Sequence, residues 1–521
     1  MTKELKFKIG QMIAAGFPGA YVDEHAKTLM DKYFIGNFFI FARNYENAEQ
    51  ICSLTNELHR MAYEKFGIAP LISIDQEGGA VSRITEGAAL FPGAMAQGAA
   101  GGKYVYDCAK NCAEILRFMG INTTASPVMD VNIEMLNPII GSRAFSDNPD
   151  EVAGYGIRMM EGFRDGGVIA TVKHYPGHGN VSTDSHLALP VNNTPAEKLF
   201  GTEFMPFEKA FGAGADLIMS AHVMYTALDE KYPATLSKTI ATDILRVKHG
   251  FKGVAMTDCM EMNAIKEIYG SGEGAVRAIE AGMDLFTVSH TLDAVDEIVN
   301  AIYRAVEEGR ITEERINLSY ERIKNLKSKY GLDRMQKSDA AMAKKALFRE
   351  ESVSYVKQAA RASVTCLSGD GSMKELDEAK NILFLAPRSF ALSNAEEDKG
   401  EPLSFAKAAA NAFGGEYVNL PLNEYSEEAE KAVLGGNHDA YMIGLYNARF
   451  REGQKKILSL IEKSGKPVFC VLLGAPYDLP IIENARTVLC AYEYTNLSVP
   501  TLIDAIREKC FPGALPVRIR I

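Results

Sequence analysis

Eight short apolar segments rich in β-branched residues recur along the N-terminal part of this chain, and they constrain its fold more than any other feature. Stretches of helical period follow the segments, an alternation typical of parallel βα units. The segments are MIAAGF (12–17), IGNFFIF (35–41), PLISID (70–75), NTTASPVMD (122–130), VIATVKH (168–174), DLIMSAH (216–222), FKGVAMTD (251–258) and DLFTVSH (284–290). Eight such units predict a closed (β/α)8 barrel of TIM type, with an open doubly wound sheet as the alternative.

The pattern changes after about Gly331, which predicts a second domain. Residues 336–363 are charged, alanine-rich and of helical period, so we expect a helical connector there, after a barrel domain over 1–335. Apolar segments then return as NILFLAP, AYMIGLY, PVFCVLL and TVLCAY, interleaved with helical stretches. Residues 364–521 therefore predict a smaller α/β sandwich, an open parallel sheet with helices on both faces.

Charge and hydropathy exclude several classes of partner. The net charge is −11 and the chain has no Lys/Arg-rich run, which argues against binding to nucleic acid or to an anionic membrane surface. No apolar stretch approaches the roughly 18 residues of a membrane span. The N-terminal residues do not resemble a signal sequence, so we expect a cytoplasmic protein that binds a small molecule. The chain has no P-loop, and GSGEGA (270–275) lacks the last glycine of a dinucleotide fingerprint, so no nucleotide cofactor is predicted.

Polar residues cluster at the carboxyl ends of the predicted strands. In a (β/α)8 barrel that end carries the active site. Any one of these residues could instead cap a helix or be a buried, satisfied polar group, but six together favour a functional site. They are Asp75, Asp130, Lys173, His174, His222 and Asp258.

The stretch KHYPGHGNVSTDSH (173–186) raises the question of a metal site or a proton-transfer site. His174 and His178 are four residues apart, like the two ligands of a helical HExxH motif. Pro176 and Gly177 would break that helix, and the glutamate of the motif is missing. We therefore predict no metal ion at these histidines.

Asp184 and His186 favour proton transfer. Alternate residues of an extended loop can project to one side, so the Asp184 carboxylate can bind one imidazole nitrogen of His186. The second nitrogen is then available to donate a proton to a substrate oxygen and to take one back. In the alternative, Asp184 caps a turn and His186 is an ordinary surface residue.

These motifs resemble glycoside hydrolase family 3, specifically its two-domain β-N-acetylglucosaminidase branch. The resemblance includes KHYPGHG followed by DSH, TDCMEM (257–262), DQEGG (75–79) with Arg83, SPVMDVN (126–132), NPIIGSRAF (137–145), AHVMY (221–225) and PATLS (233–237). It implies a retaining exo-hydrolase in which Asp258 attacks the anomeric carbon. It also implies that the Asp184/His186 dyad replaces the second carboxylic acid of the usual retaining pair.

The same resemblance implies the substrate and the residues that bind it. Asp75 would bind sugar hydroxyls, Arg143, Lys173 and His174 would donate hydrogen bonds to the sugar, and Arg83 would support this network. The expected substrate is a small carbohydrate with a terminal β-linked N-acetylglucosamine, as in peptidoglycan turnover, and the chemistry needs no metal or organic cofactor. Three alternatives stay open: a phosphorylase with the same site, a β-glucosidase of the same family, and a non-catalytic sugar-binding protein.

Overall fold

All eight apolar segments form parallel strands in the structure, a computed structural model that describes residues 1–185, 188–391, 395–397 and 401–519. Their side chains are almost entirely buried because helices cover the outside of the barrel and side chains fill its inside. The strands are β1 (Ile13–Ala15), β2 (Asn37–Ile40), β3 (Leu71–Ile74), β4 (Thr123–Thr124), β5 (Ile169–Tyr175), β6 (Leu217–Ser220), β7 (Val254–Cys259) and β8 (Leu285–Val288).

The eight strands close into a barrel in sequence order. Strand β1 pairs with β2 through Ala15 and Phe38, and with β8 through Ile13 and Phe286. The predicted TIM-type barrel is thereby confirmed, and the open doubly wound sheet is wrong.

Helices pack around the barrel and continue into the C-terminal part of the chain. Several begin at a side-chain cap: Asn47 accepts a hydrogen bond from Gln50 N at 2.9 Å, and Thr291 accepts one from Ala294 N at 3.2 Å. Up to residue 329 the helices are α1 (Lys3–Gln11), α2 (Glu24–Tyr33), α3 (Ala48–Phe66), α4 (Ala94–Ala99), α5 (Val105–Phe118), α6 (Pro149–Asp165), α7 (Ala196–Gly201), α8 (Met205–Gly212), a π-helical segment (Thr239–Lys248), α9 (Asn263–Tyr269), α10 (Ser271–Ala281), α11 (Leu292–Glu307) and α12 (Glu313–Lys329).

Two helices, α13 (Ala340–Leu347) and α14 (Glu350–Ser363), follow the barrel in the sequence and precede a second sheet. The strands of this sheet are β9 (Thr365–Ser368), β10 (Ile382–Pro387), β11 (Glu416–Leu420), β12 (Ala440–Leu445), β13 (Val468–Leu472) and β14 (Thr487–Cys490). Its helices are α15 (Lys374–Glu378), α16 (Phe405–Phe413), α17 (Glu427–Gly435), α18 (Glu452–Glu462) and α19 (Ser498–Glu508). Short 3₁₀ turns cover Ala42–Asn44, Gly87–Ala89, Gly141–Arg143, Ala234–Leu236, Ala448–Phe450 and Pro476–Ile481.

The second sheet differs in one respect from the predicted parallel sheet. Its order is β9-β14-β13-β12-β10-β11, and β9 runs antiparallel to β14, whereas the other five strands are parallel. The four predicted segments form β10, β12, β13 and β14. The two unpredicted strands, β9 and β11, are the edges of the sheet. One of the four residues of β9 and two of the five residues of β11 are exposed, so a continuous apolar run is not needed there.

The carboxyl ends of the second sheet face the barrel. Strand order reverses between β10 and β12, and in open α/β sheets this is the point where a crevice forms. Here Phe390 and Tyr446, which follow these two strands, line one pocket together with Gly79 and Ser82 of the barrel domain. Further along, the buried Glu493 carboxylate accepts a hydrogen bond from Gly93 N at 2.7 Å.

Two small ribbons complete the structure. Gln76–Gly78 pairs with Val81–Ser82 in an antiparallel hairpin directly after β3, and Val191–Asn192 pairs with Met224–Tyr225. Among the helices of the described residues, none combines the length and the apolar character needed to cross a bilayer.

Candidate active site

A cavity of about 480 Å3 opens at the carboxyl end of the barrel strands. Six of the eight predicted site residues line it, namely Asp75, Arg83, Arg143, Lys173, His174 and Asp258. Asp184 directly precedes Ser185, which also lines the cavity, whereas His186 lies outside the described residues. The cavity wall is completed by Phe39 and Phe41 near the end of β2 and by residues after β7 and β8.

Lys173 bridges two carboxylates at the base of the cavity. Its Nζ lies 3.0 Å from Asp75 Oδ1 and 2.6 Å from Glu77 Oε1. Burial would raise the pKa of Asp75, but Lys173 and Arg83 outweigh burial and hold that pKa below its usual value. Burial would likewise lower the pKa of Lys173, but Asp75 and Glu77 raise it. Asp75 and Lys173 therefore both stay ionised although little of either side chain is exposed.

Arg143 binds the second of these carboxylates from its other side. Its Nε donates to Glu77 Oε2 at 2.9 Å and its Nη2 donates to Oε1 at 2.8 Å, the bidentate geometry that suits a guanidinium. Burial opposes ionisation of Glu77, yet Arg143 and Lys173 lower its pKa to about 2. Sequence reasoning missed Glu77. Its signal was its position two residues after Asp75, because a period of two places both side chains on the same face of an extended segment.

Arg83 connects Asp75 to the second domain. Its Nη2 donates to Asp75 Oδ2 at 2.9 Å, and its Nη1 donates to Ala395 O at 2.9 Å. The Arg83 side chain is only 3% exposed, and its Nε lies 3.1 Å from Glu397 Oε2. The second domain therefore contributes directly to the wall of the cavity.

Asp130 organises the end of β5. Its Oδ2 accepts a hydrogen bond from His174 Nδ1 at 2.7 Å, and its Oδ1 accepts from the backbone N of His174 at 3.1 Å and of His178 at 2.7 Å. Burial would raise the pKa of Asp130, but the two histidines lower it. Because the acceptor is a carboxylate, the proton of neutral His174 belongs on Nδ1, and Nε2 is left for another partner.

His178 connects this network to the loop that carries the predicted dyad. Its Nε2 lies 3.0 Å from Ser185 Oγ, the residue next to Asp184. Burial and the neighbouring His174 lower the pKa of His178 to about 4, so the ring is neutral at physiological pH. Gly179 lets the loop approach the barrel, since a β-carbon there would collide with the Val131 carbonyl.

The histidines do not assemble a metal centre within the described residues. The ring centroids of His174 and His178 are 6.0 Å apart. His222 contacts Thr235 Oγ1 through Nδ1 at 2.8 Å and Cys259 O through Nε2 at 3.0 Å. In the described parts of the chain, no group of three or more His, Cys, Asp or Glu side chains converges as metal ligands would.

Asp258 is the next-to-last residue of β7, across the cavity from β3. Its Oδ1 accepts a hydrogen bond from Cys259 N at 2.7 Å, which orients the carboxylate. Burial raises the pKa of the adjacent Cys259 thiol to about 12, so that thiol is protonated at neutral pH. The Cys259 thiol is therefore not a nucleophilic thiolate at neutral pH.

Comparison with known proteins agrees with this architecture. A family model described as "Glycosyl hydrolase family 3 N terminal domain" matches residues 4–326. β-Hexosaminidase A from Pseudoalteromonas piscicida is 29% identical over 506 residues, which cover 89% of this chain and 84% of that protein.

Solved structures extend the match over both domains. A glycoside hydrolase family 3 β-N-acetylglucosaminidase from Paenibacillus sp. str. FPU-7 superimposes with a TM-score of 0.90 at 32% identity. The superposition covers 100% of this chain and 99% of the Paenibacillus chain. A β-glucoside phosphorylase shares the fold, with a TM-score of 0.80 at 21% identity. The superposition covers 99% of this chain and 97% of the phosphorylase chain. From its barrel, its second domain and these matches, the chain belongs to glycoside hydrolase family 3.

Proposed function

We propose that this protein is a retaining exo-β-N-acetylglucosaminidase. The proposal is supported by the full-length similarity to the Paenibacillus β-N-acetylglucosaminidase. One structural observation carries it: the Asp258 carboxylate shares a single cavity with the charged network of Asp75 and Lys173. A volume of about 480 Å3 is in the range of small-molecule sites and suits a short oligosaccharide end.

In this mechanism Asp258 is the nucleophile. Its carboxylate attacks the anomeric carbon, the bond to the leaving oxygen breaks, and a covalent glycosyl-enzyme forms with inversion at that carbon. Water then displaces Asp258 with a second inversion, so the released sugar retains its β configuration. The hydrogen bond from Cys259 N supports this role because it orients one carboxylate oxygen before substrate arrives.

His186 is the proposed acid and base, with Asp184 as its partner. His186 donates a proton to the leaving oxygen in the first step and removes one from the attacking water in the second. Asp184 stabilises the imidazolium that exists before the first transfer and again after the second. The contact between His178 and Ser185 supports this assignment, since it holds the residue between the two at the cavity wall.

The sugar-binding roles divide according to the partners that each side chain already has. Asp75 accepts hydrogen bonds from sugar hydroxyls, and Lys173 donates to the sugar. His174 gives its Nδ1 proton to Asp130, so its Nε2 accepts from a sugar hydroxyl and does not donate as the sequence led us to expect. Arg143 already donates to both Glu77 oxygens and to Ile139 O. Only its remaining N–H groups can bind sugar, so its larger role is to hold Glu77 and, through it, Lys173.

The proposal is tested with p-nitrophenyl β-N-acetylglucosaminide and p-nitrophenyl β-glucoside, each with and without phosphate. We expect kcat/KM to favour the N-acetylglucosaminide, phosphate to leave the rate unchanged, and the first sugar released to be the β anomer. Preference for the glucoside would point to a β-glucosidase. A phosphate-dependent rate with release of sugar 1-phosphate would point to a phosphorylase.

A further inference from the structure

A short segment of the second domain, Ala395–Glu397, forms part of the wall of the catalytic cavity. It belongs to the connection after β10, at the point where strand order reverses in the second sheet. Ala395 packs against a small apolar cluster of Ile139, Ile140 and Ala144 on the barrel domain. The segment is therefore anchored on the barrel as well as on its own domain.

Glu397 is the charged end of this segment and contacts two separate parts of the barrel. Its Oε2 lies 3.1 Å from Arg83 Nε and accepts a hydrogen bond from Ala42 N at 2.9 Å. The Glu397 side chain is 25% exposed, so one side of the carboxylate is screened by water and the other is in contact with protein. Arg83, by contrast, is buried between Glu397 and Asp75.

We infer that Glu397 is a positioning residue that sets the sugar affinity of Asp75 through Arg83. The inference rests on the proposed role of Asp75 in binding sugar hydroxyls. Arg83 shares its positive charge between two carboxylates, since its Nη2 pairs with Asp75 and its Nε lies 3.1 Å from Glu397 Oε2. Without the Glu397 charge, Arg83 pairs more tightly with Asp75, and its N–H groups compete with the sugar for the Asp75 oxygens. The second domain thus adjusts binding in the first.

Glu397→Gln is the most informative variant. A glutamine keeps the size of the side chain and an oxygen that can accept from Ala42 N, but it removes the charge that faces Arg83. Glu401→Gln is the matched control, because Glu401 lies in the same connection, is exposed, and lies outside the catalytic cavity. Thermal unfolding of each variant checks that the fold is kept.

We expect Glu397→Gln to raise KM for p-nitrophenyl β-N-acetylglucosaminide and the calorimetric Kd for N-acetylglucosamine by about tenfold, the size expected for a charge-assisted contact. Calorimetry is suitable because the chain has no tryptophan to report binding. We expect kcat to change less than about threefold for aryl and disaccharide substrates alike, because Glu397 does not touch the reacting atoms. A fall in kcat that grows with the basicity of the leaving group would overturn the inference and identify Glu397 as a proton donor.

A double-mutant cycle with Arg83→Met tests the route of the effect. If Glu397 acts through Arg83, adding Glu397→Gln to Arg83→Met changes KM by less than about twofold. Additive effects would overturn the inference. The cycle is measured with whichever β-glycoside the wild-type protein cleaves. The activity of the wild type alone tests the proposed N-acetylglucosaminidase function, so failure of that function and failure of the inference about Glu397 can be told apart.

Discussion

Arg143 and Glu77 meet through two parallel hydrogen bonds, with N···O distances of 2.9 Å and 2.8 Å, and Lys173 binds the same carboxylate at 2.6 Å. The cations at the base of the cavity therefore have a counter-charge before any sugar enters. Such a network fixes the orientation of donors in advance, so less reorganisation is needed when substrate binds. It also makes the site dependent on a residue that need not contact the sugar.

Glu77→Gln should destabilise the protein. Glu77 is only 5% exposed, and its loss leaves the buried cations Arg143 and Lys173 without their shared carboxylate. Removing one partner of a buried ion pair costs about 3 to 5 kcal/mol. Urea unfolding at neutral pH measures this difference. Glu64→Gln is the control, since Glu64 is 61% exposed in its pair with Arg60 and a surface pair contributes about 0 to 1 kcal/mol.

The contribution of Glu77 should also depend on pH in a defined direction. Its pKa is about 2 in the folded protein against 4.5 for an unperturbed glutamate. A lowered pKa gives stability that is fully present above pH 4.5 and is lost as pH falls towards 2. The free-energy difference between wild type and Glu77→Gln should therefore narrow below about pH 4.5. A difference that stays constant over this range would show that the charge of Glu77 is not what stabilises the fold.

Lys327→Met should stabilise the protein, most strongly below neutral pH. Lys327 is 1% exposed, and burial lowers its pKa from 10.5 to about 7. Its Nζ donates long hydrogen bonds, each of 3.4 Å, to Gln11 Oε1 and Gly36 O. The unfolded chain binds a proton that the folded protein lacks between these two pKa values. Stability of the wild type should therefore rise with pH from about 7 to about 10.5, by roughly 3 to 5 kcal/mol.

Denaturant unfolding at several pH values tests the prediction for Lys327. Lys327→Met removes the ionisable group, so the rise with pH should disappear in the variant while the protein gains stability at pH 6. Lys324→Met, on the same helix but 49% exposed, is the control and should leave the pH dependence unchanged. If the stability of Lys327→Met still rises with pH as steeply as that of the wild type, another group titrates in this range.

Asp258→Asn should abolish hydrolysis of aryl and disaccharide substrates without unfolding the protein. The carboxamide keeps the shape of the side chain and an oxygen that can accept from Cys259 N, but it is a poor nucleophile. A fluorinated sugar inactivator should label Asp258 in the wild type, and peptide mass spectrometry locates the label. Attachment to any other side chain would assign the nucleophile elsewhere.

His186→Ala should slow a disaccharide far more than an aryl glycoside. General acid assistance is worth about 10² to 10⁴ in rate, and p-nitrophenolate leaves with little protonation. Single-turnover glycosylation rates for both substrates give the comparison, and Asp184→Asn should show the same pattern to a smaller degree. Equal losses for the two substrates would exclude His186 as the acid.

The barrel could be predicted from the sequence because its strands are buried on both faces, so that most of them are apolar runs; the exception is Thr123–Thr124, which is buried but polar. The same reasoning failed for Thr365–Ser368 and Glu416–Leu420. These strands are at the edges of the second sheet, where exposure permits polar residues and the pattern becomes too weak to distinguish from loop. The antiparallel direction of Thr365–Ser368 was equally hidden, since strand direction depends on the path of the chain and not on local composition.

The site residues that could be predicted from the sequence are those at the ends of single barrel strands. Asp75, Lys173, His174 and Asp258 each follow an apolar run, and a barrel brings such positions together at one end. Glu397 has no such local signal. It is more than 300 residues from Arg83 in sequence, and only the packing of the second domain against the barrel brings the two side chains into contact.

Closure of the barrel between Ile13 and Phe286 has a consequence for biosynthesis. The first strand of the barrel pairs with the eighth, so the growing barrel sheet keeps two unpaired edges until its eighth strand has been translated. Such edges invite association with other chains. The barrel strands are therefore open to pairing with other chains until residue 288 has emerged, and a pause in translation before that point would favour aggregation.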